Sequence, residues 1–266
     1  MRSIHDLKKL AREAMRGNTG WLILAMAAYY ALGFAGSILT DTFFPASGMV
    51  NLVIGQVFYF ILTLVFGIFY GGVRLLYLNG ARDRICSMDN LFYFFKNNPD
   101  RVIVASFVVT LIGLVVSIPL NIFSYTADVG QTVEAQLQWA MQSLLWMAVA
   151  TIAAELLTLP FEMVYFLLAD HPGMSGIEAL KGSVRMLKGR IGKLLLLKLS
   201  FIPAMFLSVF TLYLALLWIV PYMEMTIAVF YRDLQGEYDM EADHRITMQE
   251  NRGLWELPGN DDHSEA

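Results

Sequence analysis

The 266-residue chain is 57% hydrophobic and 16% charged, against roughly 45–50% and about 25% in an ordinary water-soluble domain. That surplus of apolar residues calls for lipid and leaves no segment long enough for a separate soluble core, so one membrane domain is expected. The net charge of −4 hides a division, because nine acidic residues against two basic ones follow Asp233 and the body before it is therefore +3. The body's basic residues lie in short clusters beside apolar blocks. They point to membrane lipids as partners and away from nucleic acid, for which a long basic and aromatic stripe would be needed. Cys86 is the single cysteine, so an internal disulfide or a CxxC pair is excluded.

In chain order, a long charged start leads into an apolar stretch with no clean small-residue cleavage site, so the segment from Trp21 onward reads as a retained helix and not as a leader. A helix needs about 20 mainly apolar residues to cross ~30 Å of hydrocarbon. Such blocks run at about 21–39, 52–77, 102–123 and 143–168. A last block, 194–231, is too long for one crossing. With Pro203 and Pro221 inside it, it is divided near Leu212 into 194–212 and 213–231. The fold class expected is all-α, a polytopic helical membrane domain over 1–234 with six transmembrane helices. The acidic segment 235–266, poor in β-branched residues, is expected to be a disordered cytoplasmic tail.

Basic residues precede helix one and recur between helices two and three, between four and five, and after helix six. Segments 40–51 and 124–142 hold none. By the positive-inside rule both termini are cytoplasmic. Three of the basic stretches begin at a serine and show an amphipathic pattern. Ser3 to Arg16 places Ile4, Leu7, Leu10 and Ala14 together; Ser87 to Asn97 offers Leu91, Phe94 and Phe95. In Ser175 to Arg190, Ile177, Leu180, Val184, Leu187 and Ile191 lie opposite Lys181, Arg185 and Lys188. Ser175 and Glu178 have capping-box spacing. These stretches read as interfacial helices, with Lys181, Arg185, Lys188 and Arg190 as lipid contacts. Because Ser3, Ser87 and Ser175 are nearly evenly spaced, the chain is also readable as three copies of a helical hairpin, although basic inner loops alone give six spans such a rhythm.

The stretch from Phe166 to Leu234 carries Ala169 and Asp170 ending a span, Glu178 and Ala179, Ser183, and Lys188 with Gly189. It continues through Leu199 to Phe201, Pro221 with Tyr222, and Phe230 with Tyr231. In these residues, and in Leu7, Ala11 and Arg12 ahead of Gly17 and Asn18, the chain resembles the bacterial integral membrane family known as domain of unknown function 975. It departs from that pattern at Pro160, Phe161 and Glu162, where a Pro-Gly-Ile turn is common, and at Tyr213 to Ala215, where a glycine-rich turn is usual. The last span is also similar to the membrane domain of some bacterial glycerophosphodiester phosphodiesterases, whose catalytic domain has no counterpart here. The resemblance implies a fold and a bacterial plasma membrane, and no activity.

An ionisable group inside a span costs at least ~2.5 kcal/mol on insertion scales, so it faces protein or water by default. Glu155, Glu162 and Glu224 meet that description, with Lys198 and Arg74 as partners and Gln56 and Asn121 as further polar groups able to bond between helices. They read either as the lining of a polar pathway or as ion pairs that fix helix packing. Pro119, Pro160, Pro203 and Pro221 fit broken transporter helices and ordinary membrane helices alike. Aromatic residues, Trp21, Trp139, Trp146 and Trp218 among them, suit interfaces and packing, and the methionines suit core filling. HExxH, GxSxG, Walker and GxGxxG motifs are absent, and the four histidines lie in different segments. Neither an enzyme nor a metal or cofactor site is expected.

Two functions remain. One is a non-enzymatic organiser or regulator acting on lipids or on an unidentified membrane or cytoplasmic protein through its interfacial helices and tail. The other is a small transporter or channel using the intramembrane glutamates, which requires a cavity meeting Glu155, Glu162 and Glu224.

Overall fold

The computed structural model describes residues 2–45, 48–126, 132–244 and Met248. All regular structure among them is helical. α1 (Ile4–Met15) and α2 (Thr19–Phe43) are followed by α3 (Met49–Ala81), two single turns, α4 (Met88–Leu91) and α5 (Tyr93–Lys96), and then α6 (Pro99–Thr126). α7 (Val133–Thr158) leads through a 3-10 turn, Leu159–Phe161, into α8 (Val164–Asp170). α9 (Gly176–Leu187), α10 (Ile191–Leu199) and α11 (Ile202–Leu207) follow, and after a second 3-10 turn, Ser208–Thr211, α12 (Leu216–Gln235) closes the bundle.

Among the described residues five helical segments are long and apolar enough to cross a membrane: Thr19–Phe43, Met49–Ala81, Pro99–Ser124, Val133–Asp170 and Ile191–Thr211. They fit a multi-pass membrane protein. Each of the first four overruns the span expected for it, because helix continues into flanking polar residues once backbone hydrogen bonding has begun. The sixth expected span corresponds to α12, which carries Glu224, Arg232 and Asp233 in its twenty residues and is correspondingly less apolar. The predicted division near Leu212 coincides with a break, since Leu212 (φ 50°) and Tyr213 (φ 64°) are both left-handed. That conformation ends the 3-10 turn without the glycine such a turn usually employs.

The C-terminal half of α3 is the axis of the core. From Gly67 to Ala81 nearly every residue is buried, with α2, α6, α8 and α12 packed around it. Small residues allow this closeness. A Cβ on Gly72 would fall on the Leu91 carbonyl, and one on Gly67 would collide with the Ser106 hydroxyl. At the opposite extreme, α7 has no buried residue and packs chiefly on α6.

The three serine-led stretches fold unequally. α1 and α9 each begin with a capping box: the Ser3 hydroxyl accepts from Asp6 N (3.2 Å), and Ser175 from Glu178 N (3.3 Å), with each acid returning a bond to the serine amide. The stretch from Ser87, expected as one helix, is two four-residue turns separated at Phe92, because its backbone docks on Gly72 of α3. The hairpin periodicity is therefore not carried by three like elements. On α9 the buried face is Gly176, Ala179, Leu180, Ser183 and Leu187, while the expected apolar residues Ile177 and Val184 stay exposed. On α1 the buried residues are Leu7, Ala11 and Met15. On α9 the small residues Gly176, Ala179 and Ser183 turn toward the bundle beside Leu180 and Leu187, which lets the helix pack closely. Ser175→Ala should cost about 1 kcal/mol of stability, and Ser87→Ala distinctly less, because Ser87 makes no side-chain cap bond. Thermal unfolding in detergent measures both.

Of the segment expected to be a disordered tail, residues 237–244 are helical and pack on the bundle, with Tyr238 buried. The rest of that expectation, with Arg245 and Arg252, lies outside the described residues apart from Met248.

Candidate functional site

All five ionisable residues singled out within the spans meet in one network. Arg74 lies on α3, Glu155 near the end of α7, Lys198 near the end of α10 and Glu224 within α12. Glu162 caps the 3-10 turn after α7. Arg74 contacts Glu162 at 2.5 Å and Glu224 at 2.9 Å. Lys198 contacts Glu162 at 2.7 Å and Glu155 at 3.0 Å. The chain of contacts thus runs Glu155, Lys198, Glu162, Arg74, Glu224. Arg74, Glu162 and Glu224 are buried, Lys198 is largely so, and Glu155, with its side chain 60% exposed, marks the open end. The Arg74–Glu224 pair is close but out of hydrogen-bond alignment, leaving Arg74 Nη1 and Glu224 Oε2 buried without a hydrogen-bond partner.

Glu155 and Glu162 are seven residues apart in the expected span 143–168, a spacing that would put them on one face of a continuous helix. The helix is instead broken at Pro160, and the break directs Glu162 inward, where it reaches both cations. The backbone groups freed there are satisfied by α9, whose buried Ser183 hydroxyl donates to Pro160 O (2.7 Å) and accepts from Met163 N (3.2 Å). Lys198 likewise sits just before a second interruption, at Ser200 and Phe201. Two broken helices therefore end at the network.

The network lines a cavity of about 310 Å3, which Glu155, Glu162 and Glu224 all meet. Tyr29, Tyr30, Tyr70 and Tyr165 line it too, and the same four tyrosines line a larger crevice of about 750 Å3 among α2, α3 and α6. Their rings form a run, with centroids 5.7 Å apart for Tyr30 and Tyr29, 4.8 Å for Tyr29 and Tyr70, and 5.2 Å for Tyr70 and Tyr165. The Tyr70 hydroxyl accepts from Arg74 Nε at 2.8 Å. Sequence reasoning missed this wall by assigning aromatic residues to interfaces and packing. The i, i+4 spacing of Tyr70 and Arg74 was the available signal. Gln56 lines the larger crevice, whereas Asn121 donates to Ser117 Oγ (3.4 Å) one turn away on its own helix, not across helices as expected.

Lys181, Arg185, Lys188 and Arg190 are all exposed along α9 and the turn after it. They take no part in the network.

A second set of ion pairs and hydrogen bonds, unforeseen from the sequence, gathers the turn after α3, the end of α8, the end of α12 with the residues after it, and Arg2. Arg82 donates to Asp170 (2.5 and 2.8 Å) and to Glu237 (3.1 Å), and Glu237 also accepts from Arg232 (2.7 Å). Tyr231 donates to Asp170 at 2.8 Å, and the Arg2 amide donates to the Asp233 carboxylate at 3.2 Å. Burial pushes the Glu237 carboxyl up, but hydrogen bonds from Arg82 and Arg232 outweigh it and hold the group below its ordinary 4.5. A carboxyl lowered by folding stabilises the protein above its unfolded pKa and loses that contribution as pH falls toward the folded value. The unfolding midpoint should therefore drop as pH is lowered from about 4.5, and Glu237→Gln should flatten part of that drop, as thermal scans across acid pH will read.

Comparison with curated proteins and with solved structures gives no match. The pattern of the family described as Protein of unknown function (DUF975) does match, over residues 1–237. That stretch runs from α1 past the end of α12, and the chain belongs to this family.

Proposed function

We propose that the protein is a small, non-enzymatic transporter of the bacterial plasma membrane, with six crossings and both termini in the cytoplasm, that takes its solute at the charged cavity. The observation that carries this reading is the meeting of Glu155, Glu162 and Glu224 with Arg74 and Lys198 at one cavity. Burying so many charges within hydrocarbon depth is costly. Ion pairs that only fixed helix packing would need no space beside them, and none of their members would need to stay open as Glu155 does. Broken helices ending at a charged site are also how many transporters form theirs. Support for an even number of crossings comes from Arg2, which contacts Asp233 near the end of α12 and so brings the segment ahead of α1 to the end of the last expected crossing.

Purified protein in liposomes should show proton or ion flux under a membrane potential, and Glu155→Gln/Glu162→Gln should abolish it. Flux equal in both proteins would sink the transport reading. The organiser reading then stands on α9, whose exposed Lys181, Arg185 and Lys188 beside exposed Ile177 and Val184 suit anionic headgroups above an acyl boundary.

A further inference from the structure

The charged cavity is uneven in two respects. It holds three carboxylates against two cations, and Glu162 takes close contacts from both cations, at 2.5 and 2.7 Å. Glu155 and Glu224, at the two ends, each share a cation already engaged. Glu224 Oε2 is buried beside the cavity without a hydrogen bond. At low dielectric an excess carboxylate attracts positive charge strongly. Arg74 and Lys198 already occupy the places between the carboxylates where a small metal ion would sit, so the further charge has to be diffuse and held at greater distance.

The tyrosine run supplies the surface for such a charge. Aromatic faces attract cations through their quadrupole, most of all where water is excluded. Arg74 already lies over the Tyr70 ring, 4.9 Å from its centroid. Tyr29 and Tyr30 continue the run on the far side of Tyr70 and line both the charged cavity and the crevice of about 750 Å3, which is within the range of small-molecule pockets.

We propose that this site binds an organic cation, a protonated amine or quaternary ammonium with an apolar or aromatic body. The charged head lies in the charged cavity, facing Glu155 and Glu224 and the rings of Tyr29 and Tyr30, and the body extends into the larger crevice that the same two tyrosines line. This rests on the transport reading and names its substrate class.

The test is equilibrium dialysis of the full-length protein in detergent, corrected for empty micelles, against tetraphenylphosphonium and its anionic counterpart of the same shape, tetraphenylborate. Saturable binding of the phosphonium but not the borate is expected. Affinity should fall about tenfold or more in Glu155→Gln and in Tyr29→Leu, and stay unchanged in Lys96→Gln, an exposed residue that lines neither cavity. Equal binding of both ions, no saturable binding, or undiminished affinity in Glu155→Gln would overturn the proposal. Proton flux that needs the glutamates, without phosphonium binding, would overturn it alone and make the proton the charge the site takes. Binding that needs Glu155, without any flux, would support the site while overturning the transport reading.

Discussion

Arg74→Leu should be the most damaging single substitution in the network, costing about 3–5 kcal/mol of stability. The Arg74 side chain, 4% exposed, stands between Glu162 and Glu224 and donates to the Tyr70 hydroxyl. Its loss leaves Glu224 buried with no cation in contact and Glu162 with Lys198 alone. The penalty is the desolvation of a charge without its partner, which far exceeds the net worth of the pair itself. Arg74→Lys should lose less but still some, since a compact ammonium lacks the planar, spread-out nitrogens with which Arg74 meets Glu162, Glu224 and the Tyr70 hydroxyl separately. Adding Glu224→Gln to Arg74→Leu should restore part of the stability, with a coupling of about 1–3 kcal/mol. Denaturant unfolding in detergent measures the cycle. Additive effects of the two substitutions would mean that Arg74 and Glu224 do not hold each other as the 2.9 Å contact implies.

Gly72→Ala is the second substitution with a large expected effect, for a purely steric reason. The added Cβ would overlap the carbonyl of Leu91 and lie 2.8 Å from the carbonyl oxygen of Asn90. Both obstacles are backbone, so no rotamer change relieves them. Overpacking a core usually costs about 1–3 kcal/mol, and with backbone on both sides the cost should reach the top of that range. The turns α4 and α5 should be displaced from α3, which faster proteolysis between Arg82 and Asn98 would reveal. Gly20→Ala provides the contrast, because nothing lies within 4 Å of its Cβ position. It should change stability by less than about 1 kcal/mol. Equal effects at the two positions would contradict the close approach of α3 to the Leu91 backbone.

Much of the bundle is legible in the residues. The apolar blocks locate the spans, Ser175 and Glu178 mark the start of α9, and the split near Leu212 coincides with its two left-handed residues. Rotation about a helix axis is less legible. On α9 Leu180 and Leu187 are buried, as the amphipathic pattern leads one to expect, but Ile177 and Val184 are exposed and Gly176, Ala179 and Ser183 share the buried face instead. In lipid, apolar side chains gain little by leaving the surface, and close backbone approach through small residues decides which face turns inward. The same reasoning accounts for the stretch from Ser87, where docking of the Leu91 backbone on Gly72 prevails over an amphipathic pattern.

By itself the sequence determined which residues could not be left to lipid. Glu155, Glu162, Glu224, Lys198 and Arg74 are identified by their cost at hydrocarbon depth, a property of each residue and its apolar neighbours in the chain. Which of them meet was decided only by the tertiary structure, since pairing depends on helix order and rotation. The break at Pro160, held by Ser183, brings Glu162 between Arg74 and Lys198. The tyrosine wall and the contacts from Arg82 to Asp170 and Glu237 arise in the same way. Each is assembled from helices distant in the chain, whose mutual orientation follows from the packing of the whole bundle and leaves no local periodicity to read.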